Sequence, residues 1–268
     1  MMIAALAVVA PLGCGLNLAG GNDFNQESVL TLFAPPSPTE VARWAADPYD
    51  PDKRQRGLTL LANAQWGGAP AYLRFYRVSI GDKDPAVRAT ACMALGRHGE
   101  PADASLLIGR LADKEPIVRR AAARALQRIH APAAIRPLLR AADARMEDDP
   151  ETRAAAATAL GQYADKRVVQ GLIATLRDRR LLVNEAAKDS LAVLTGQDFG
   201  YDPNAWLAWT RQTDDLFAGR GRYLHPAYRR APRIWEQFIP WMQPPNETAS
   251  VPVGMTGPPK PAPQAPGG

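Results

Sequence analysis

Cysteine, histidine and aromatic residues are scarce in this chain, and their scarcity excludes several kinds of protein. The 268 residues include two cysteines, too few for a disulfide framework or a multi-cysteine zinc site, and three histidines, which leave little material for a histidine-rich metal centre. Aromatic residues make up 7% of the chain, whereas alanine is abundant. Small residues repeated in this way favour closely packed helices over a broad sheet core.

The chain is also poor in lysine, and its positive charge is not gathered into a tail. Lysine and arginine total 32 against 27 acidic residues, a net charge of +5, and six of the 32 are lysines. The excess is spread through residues 51–200, which sum to +7, while residues 1–50 sum to −4. A charge this diffuse does not indicate nucleic-acid binding, so no nucleic-acid partner is predicted.

Residues 1–13 form an uncharged, mostly apolar run that leads into Cys14 through Leu12-Gly13. The run has the length of the hydrophobic region of a secretory signal and is too short to span a bilayer alone. Its end resembles the bacterial lipobox, in which the cysteine is acylated and the peptide is cut just before it. We therefore predict a signal peptide over residues 1–13 and lipidation of Cys14. A signal without lipid, or an uncleaved anchor continuing through Leu18, are the alternatives.

The lipobox resemblance implies a location as well. The protein is expected to be exported and lipid-anchored to a membrane of the cell envelope, facing the periplasm. Residues 14–37 are rich in Gly, Asn, Ser and Pro and are predicted to be a flexible tether. Ser37 and Glu40 form a capping-box pattern, and Pro38 suits a first helical position, so the folded part is predicted to begin there.

The middle of the chain repeats with a period of 31 to 34 residues. The motif Asp84-Pro85-Ala86-Val87-Arg88 recurs at 50–54, 115–119 and 149–153, and a degenerate copy begins at Leu181. Small or apolar residues follow each copy at the spacing of one helix face. The acidic residue can cap the new helix, and proline loses nothing at its first position because that amide has no partner there.

Each repeat is predicted to contain a second helix with an apolar stripe of its own. Gly96 and Gly161 are predicted to end the first helices of their repeats. The residues expected to point into the core from the second helices are Leu106, Leu107, Leu138, Leu172 and Ile173. Because neither helix of a pair can bury its stripe alone, neighbouring pairs must stack.

The D-P-x-V-R-x-x-A-x-x-A-L-G pattern resembles that of HEAT repeats, specifically the short bacterial type also called phycobilisome-lyase HEAT-like repeats. The resemblance covers residues 48–195. It implies an all-α fold, a right-handed α-solenoid of about five HEAT-like helix pairs over residues 38–199. Members of this family include chromophore lyases, an iron-dependent hydroxylase and many scaffolds without chemistry.

Three arginines hold the same position in successive first helices, namely Arg88, Arg119 and Arg153. In the family such residues form a ladder of hydrogen bonds between repeats, and these arginines are predicted to form one here. Their expected partners are the helix-terminal aspartates Asp113, Asp143 and Asp178. A ligand-contacting role for the arginines is the alternative.

The region after the repeats is predicted to form a cap and a tail. Residues 200–242 should cover the open end of the solenoid with a helix that starts at Asp202-Pro203 and carries Trp206 and Trp209. An exposed aromatic binding patch is the alternative. Residues 243–268 contain eight prolines and little apolar bulk, so a disordered Pro-rich tail is predicted.

No residue set in the sequence indicates catalysis. The iron hydroxylases of the family carry His-Glu dipeptides, whereas His98, His130 and His225 are followed by other residues. No metal site, cofactor, catalytic residue or small-molecule substrate is predicted. The favoured function is a non-catalytic scaffold that binds a protein partner of unknown identity at the bacterial cell envelope. A bilin-lyase-like or redox-associated enzyme of the same repeat family is the alternative.

The second helices carry the candidate partner-binding residues. Arg110 and Arg140 occupy equivalent places, and Arg136 and Arg177 lie nearby in the same layer. Arginine can hold a carboxylate with two parallel hydrogen bonds. We therefore predict a positive strip suited to an acidic segment of the partner, with a merely solvated surface as the alternative.

Overall fold

The computed structural model describes residues 36–64, 66–227 and 248–255, and within these ranges every regular element is a helix. Strand-type pairing there is limited to an isolated bridge between Ile129 and Val253. The predicted all-α class is therefore confirmed. The predicted signal peptide, Cys14 and the tether up to residue 35 lie outside the described residues.

Eleven α-helices follow one another in these ranges and form five successive pairs after α1. The helices are α1 Pro38–Ala45, α2 Pro51–Asn63, α3 Pro70–Ser79, α4 Pro85–His98, α5 Ala104–Arg110, α6 Pro116–Leu126, α7 Ile135–Ala141, α8 Pro150–Leu160, α9 Lys166–Thr175, α10 Leu181–Thr195 and α11 Pro203–Gln212. The first helices of the pairs are α2, α4, α6, α8 and α10, and the second helices are α3, α5, α7, α9 and α11.

The repeated motif sets the start of most first helices. Asp50, Asp84 and Asp149 stand at the N-caps of α2, α4 and α8, where each side chain accepts hydrogen bonds from amides of the first turn. A proline occupies the next position in each case, as expected where the amide has no helical partner. Glu115 is the N-cap of α6, but its side chain makes no capping hydrogen bond. The N-cap of α10 is Arg180, and this helix has neither a capping side-chain bond nor a proline in its first turn.

Successive first helices pack directly on one another, and two glycines permit the close approach. A Cβ on Gly96 would lie 2.7 Å from Ala125 Cα, and one on Gly161 would lie 2.9 Å from Ser190 Oγ. The prediction that Gly96 ends its helix is wrong, because α4 continues to His98. Gly96 instead lets α4 and α6 touch. Gly161 does follow the last residue of α8.

We expect Gly96→Ala to destabilise the protein although alanine is the better helix former. The added Cβ would meet the backbone of α6, and forced contacts of this kind cost about 1–3 kcal/mol. Gly109→Ala is the matched control, since a Cβ on Gly109 in α5 meets nothing within 4 Å. That change should stabilise the protein by up to about 1 kcal/mol. Urea unfolding measures both, and equal effects of the two changes would contradict the close contact.

The core lies between the first and second helices. Eight of the eleven residues of α8 are buried, because α8 packs between the first helices α6 and α10 and also contacts the second helices α7 and α9. The second helices bury a single stripe, and four of the five residues expected there are buried: Leu107, Leu138, Leu172 and Ile173. Leu106 is 37% exposed. The expectation for Leu106 is wrong because Ala104 and Leu107, one turn apart, face the first helices instead.

The last helix carries the largest fully buried side chain of the described residues. Trp206 of α11 has no exposed surface and donates from Nε1 to the carbonyl of Gly200 at 3.0 Å. Its ring meets Phe199 edge-on at 4.9 Å and Trp209 at 6.2 Å. Trp206 belongs to the main hydrophobic core and α11 packs against α9, while the capping role itself stays a prediction.

Residues 248–255, assigned by the sequence to a disordered tail, are instead held against the repeats. The carbonyl of Val253 accepts a hydrogen bond from the amide of His130, and the amide of Val253 donates to the carbonyl of Arg128, both at 2.8 Å. These groups are available because α6 has ended at Leu126, so they have no helical partners. Ser250 accepts the amide of His225 at 3.0 Å. The rest of residues 243–268 lies outside the described ranges.

Candidate partner-binding surface

Four arginine–carboxylate pairs form a row where each second helix leads into the next first helix. The pairs are Arg54–Asp82, Arg88–Asp113, Arg119–Glu147 and Arg153–Asp178. In every pair Nε and Nη2 donate to the two carboxylate oxygens, over distances from 2.6 to 3.1 Å. We call this row the arginine ladder, and Arg88, Arg119 and Arg153, the arginines that the sequence indicates, are its last three rungs.

The second rung shows how the ladder connects consecutive repeats: an arginine of one first helix joins the loop before that helix to the loop before the next first helix. Arg88 Nη1 donates to the carbonyls of Asp82 and Lys83, in the loop before α4, at 2.9 Å. Its carboxylate partner, Asp113, also accepts the amide of Glu115, the N-cap of α6, at 3.1 Å. The loop before α4 is therefore joined, through Arg88 and Asp113, to the start of α6. Bidentate, charge-assisted bonds of this kind are stronger than neutral ones.

The third rung corrects one predicted partner. Glu147, rather than Asp143, binds Arg119, and Asp143 pairs with Arg145. The loop before α8 has eight residues, whereas the loops before α4, α6 and α10 have five. In each loop the ladder acid lies two residues before the N-cap, so in the longer loop this position falls on Glu147. The same spacing identifies the first rung, which sequence reasoning missed.

Burial and the partner arginine shift the pKa of the ladder aspartates in opposite directions. Burial raises the pKa of Asp82, Asp113 and Asp178, but the hydrogen bonds from the partner arginine and from a backbone amide outweigh it. The pKa of each of the three carboxyls therefore lies below the usual value of 3.8. The same pairing raises the pKa of Arg54, Arg88 and Arg119.

These lowered pKa values predict a loss of stability in acid. An aspartate whose pKa is lower in the folded state than in the unfolded chain stabilises the fold above the unfolded value, and the gain is lost as pH falls through the folded value. We expect the melting temperature to change little between about pH 5 and 7 and to drop below about pH 4. Thermal unfolding across this range tests the expectation, and Asp113→Asn should flatten the acid side of the profile. A melting temperature constant to pH 2.5 would contradict it.

The four candidate partner-binding arginines do not share one pocket. Arg110 donates to the ladder acid Asp113 at 3.3 Å, so it is held at a rung. Arg136 is exposed on α7. Arg140 lines a groove of about 530 Å³ between α5 and α7, and Arg177 lines one of about 650 Å³ between α7 and α9. Of the predicted strip, therefore, only Arg140 and Arg177 line grooves, and the two grooves are different.

The larger groove, here called the α7–α9 groove, has apolar walls and a charged rim. Its apolar walls include Leu139, Ala142, Gly171 and Ala174. Its rim includes Arg177, the ladder acid Asp178, and Arg145 and Arg167, which are paired with Asp143 and Asp165. A Cβ on Gly171 would meet Leu139 Cδ2 at 2.3 Å, so glycine here lets Leu139 of α7 lie against the backbone of α9. Sequence reasoning named only Arg177 of this set as a partner-binding residue, because the groove depends on how two helices of different repeats are placed.

Each of the three histidines is within hydrogen-bond distance of another residue, and Cys92 is buried. His98 Nε2 lies 2.7 Å from the carbonyl of Ala62, His130 Nδ1 lies 3.1 Å from Gln162 Oε1, and His225 Nε2 lies 2.7 Å from Ser250 Oγ. Burial lowers the pKa of His130, and burial raises the pKa of the Cys92 thiol to about 12. A thiol with such a pKa is a poor nucleophile at neutral pH.

Among the residues that the structure describes, no group of three or more His, Cys, Asp or Glu side chains is placed to hold a metal ion. No helix in the described ranges combines the length and hydropathy needed to cross a bilayer.

Comparison with protein families gives one match. The family model described as HEAT repeats matches residues 39–122 and, in a second overlapping match, residues 110–192. Together the matches span more than half of the chain. Comparison with curated proteins finds no match.

Proposed function

Because this chain belongs to the HEAT-repeat family, we propose that it is a non-catalytic scaffold that binds a protein partner at the bacterial cell envelope. The observation that carries the proposal is the contrast between the two helix layers. The first helices pack on one another and are tied by the arginine ladder, whereas the second helices leave two grooves open between them. A stack held rigid on one side and open on the other suits the binding of an extended partner. The repeated motif favours the short bacterial type of the family.

Crosslinking in intact cells, followed by purification of the protein, tests the scaffold. We expect a defined protein to be crosslinked in an amount comparable with the scaffold, and the purified chain to carry no chromophore. Recovery of the chain with a covalently bound or tightly held chromophore, and no protein partner, would favour the lyase-like alternative and overturn the proposal.

The envelope location rests on the sequence around Cys14, which lies outside the described residues. The apolar run that ends at Gly13-Cys14 supports cleavage before Cys14 and attachment of lipid to its thiol. Mass spectrometry of the protein from membranes should find a lipidated Cys14 as the first residue, and Cys14→Ala should move the protein out of the membrane fraction. An intact Met1 or a free Cys14 thiol would refute the anchor.

A further inference from the structure

We propose that the α7–α9 groove binds an acidic peptide segment of the partner protein, with one apolar side chain between the helices and carboxylates on the surrounding arginines. This inference rests on the proposed scaffold function and adds to it a location and a partner chemistry. It relocates the predicted strip, because only Arg177 of the four candidate arginines lines this groove.

The size and walls of the groove suit a short peptide with an apolar anchor. Leu139, Ala142, Gly171 and Ala174 present apolar surface to a space of about 650 Å³. The ten-residue helix α9 is about 15 Å long, the length of about four or five residues of extended chain. A space recessed between two helices admits a peptide side chain, whereas a flat lipid surface would reach only its rim.

The charges around the groove favour carboxylates. A second space of about 460 Å³ shares Arg145 and Arg177 with the groove and is also lined by Arg179 and Arg180. Arg177 and Arg179 form no ion pair with any residue that the structure describes. Both are exposed, so their guanidinium groups are available to carboxylates of a ligand.

The acidic groups nearby are mostly engaged already. Asp178 is bound by Arg153, with Arg180 close to it, and Asp143 is bound by Arg145. Three aspartates line the two spaces, namely Asp143, Asp148 and Asp178. Among them, only Asp148 has a side chain with neither a hydrogen bond nor an ion pair to a described residue. The neighbourhood is therefore positive, and guanidinium groups hold carboxylates bidentately.

Fluorescence anisotropy with a labelled six-residue peptide of Glu and Asp around a central Leu tests the proposal on the full-length protein. We expect saturable binding that weakens as salt is added. The double variant Arg177→Glu, Arg179→Glu should raise the Kd by about tenfold or more, since two contacts with carboxylates become repulsive. Ala174→Trp should weaken binding similarly without any change of charge, because the exposed Ala174 lines the groove and tryptophan would fill it.

Two controls make the result specific. Arg136→Glu makes the same charge change at an exposed residue of α7 that does not line the groove, and it should leave the Kd unchanged. A peptide with Ser in place of the central Leu should bind more weakly than the parent peptide. Because the altered residues are exposed, melting temperatures should match that of the unaltered protein.

The proposal is overturned if Arg136→Glu weakens binding as much as the groove variants, or if the Leu and Ser peptides bind equally. It is also overturned if vesicles containing an anionic phospholipid bind through the same arginines and the peptide does not. If the groove variants lose the peptide but still crosslink the cellular partner, the groove is not the docking site and the scaffold proposal stands. If no partner is crosslinked to any form of the protein, the scaffold proposal itself fails.

Discussion

Replacing Arg88 with alanine is expected to lower the free energy of unfolding by about 3–5 kcal/mol. The side chains of Arg88 and Asp113 are 6% and 5% exposed, so the change would remove the bidentate partner of a buried carboxylate and leave it, among arginines, only the longer, 3.3 Å bond from Arg110. It would also free the carbonyls of Asp82 and Lys83, which now accept from Arg88 Nη1. Urea unfolding followed by circular dichroism measures the loss.

Arg145→Ala is the control for the ladder. Arg145 also pairs with an aspartate, at 2.7 Å, but its side chain is 88% exposed, and exposed pairs contribute about 0–1 kcal/mol. A large loss for Arg88→Ala with a small one for Arg145→Ala supports a ladder that couples repeats. Small and equal losses would mean that the repeats are held by apolar packing alone.

Trp206→Ala is expected to destabilise the protein by about 3–5 kcal/mol, the usual range for a buried tryptophan. The change would leave a cavity beside Phe199 and Trp209 and remove the hydrogen bond to the carbonyl of Gly200. Because α11 packs against α9, unfolding should start from this end of the stack. Hydrogen exchange should then be fastest in α10 and α11 of the variant.

Tyr201→Ala separates the cap from the aromatic binding patch that the sequence leaves open as an alternative. Tyr201 is 45% exposed and lies against the ammonium group of Lys188 at 5.3 Å, so its loss should cost less than about 1 kcal/mol. A loss for Trp206→Ala no greater than that for Tyr201→Ala would contradict the capping role.

The helical fold could be predicted because its signals are local. An acidic N-cap, a proline after it and apolar residues at helical spacing mark α2, α4 and α8 without reference to the rest of the chain. The ladder arginines follow from the same motif. A glycine that ends a helix and one that admits a neighbouring helix look alike in sequence. At Gly96 the structure distinguishes them, because α4 continues to His98 and a Cβ on Gly96 would lie 2.7 Å from Ala125 Cα.

The candidate site was less predictable because it depends on distances between repeats. The eight-residue loop before α8 moved the third rung from Asp143 to Glu147. Arg110 and Arg140 hold equivalent places in the repeat, yet Arg110 is bound to the ladder acid Asp113 and Arg140 lines a groove. The docking of residues 248–255 likewise depends on free backbone groups after α6, which proline content does not reveal.

Site-specific photocrosslinking in intact cells tests the central claim, a scaffold that docks its partner at the α7–α9 groove. A photoreactive residue would replace Ala144, which is exposed at the rim beyond the end of α7, or Ala133, which is exposed before its start. We predict that the protein with the probe at position 144 crosslinks to one partner within a stretch rich in Asp and Glu, identified by mass spectrometry, and that the probe at position 133 does not. Equal crosslinking from both positions, or crosslinks from position 144 to lipid alone, would contradict the account.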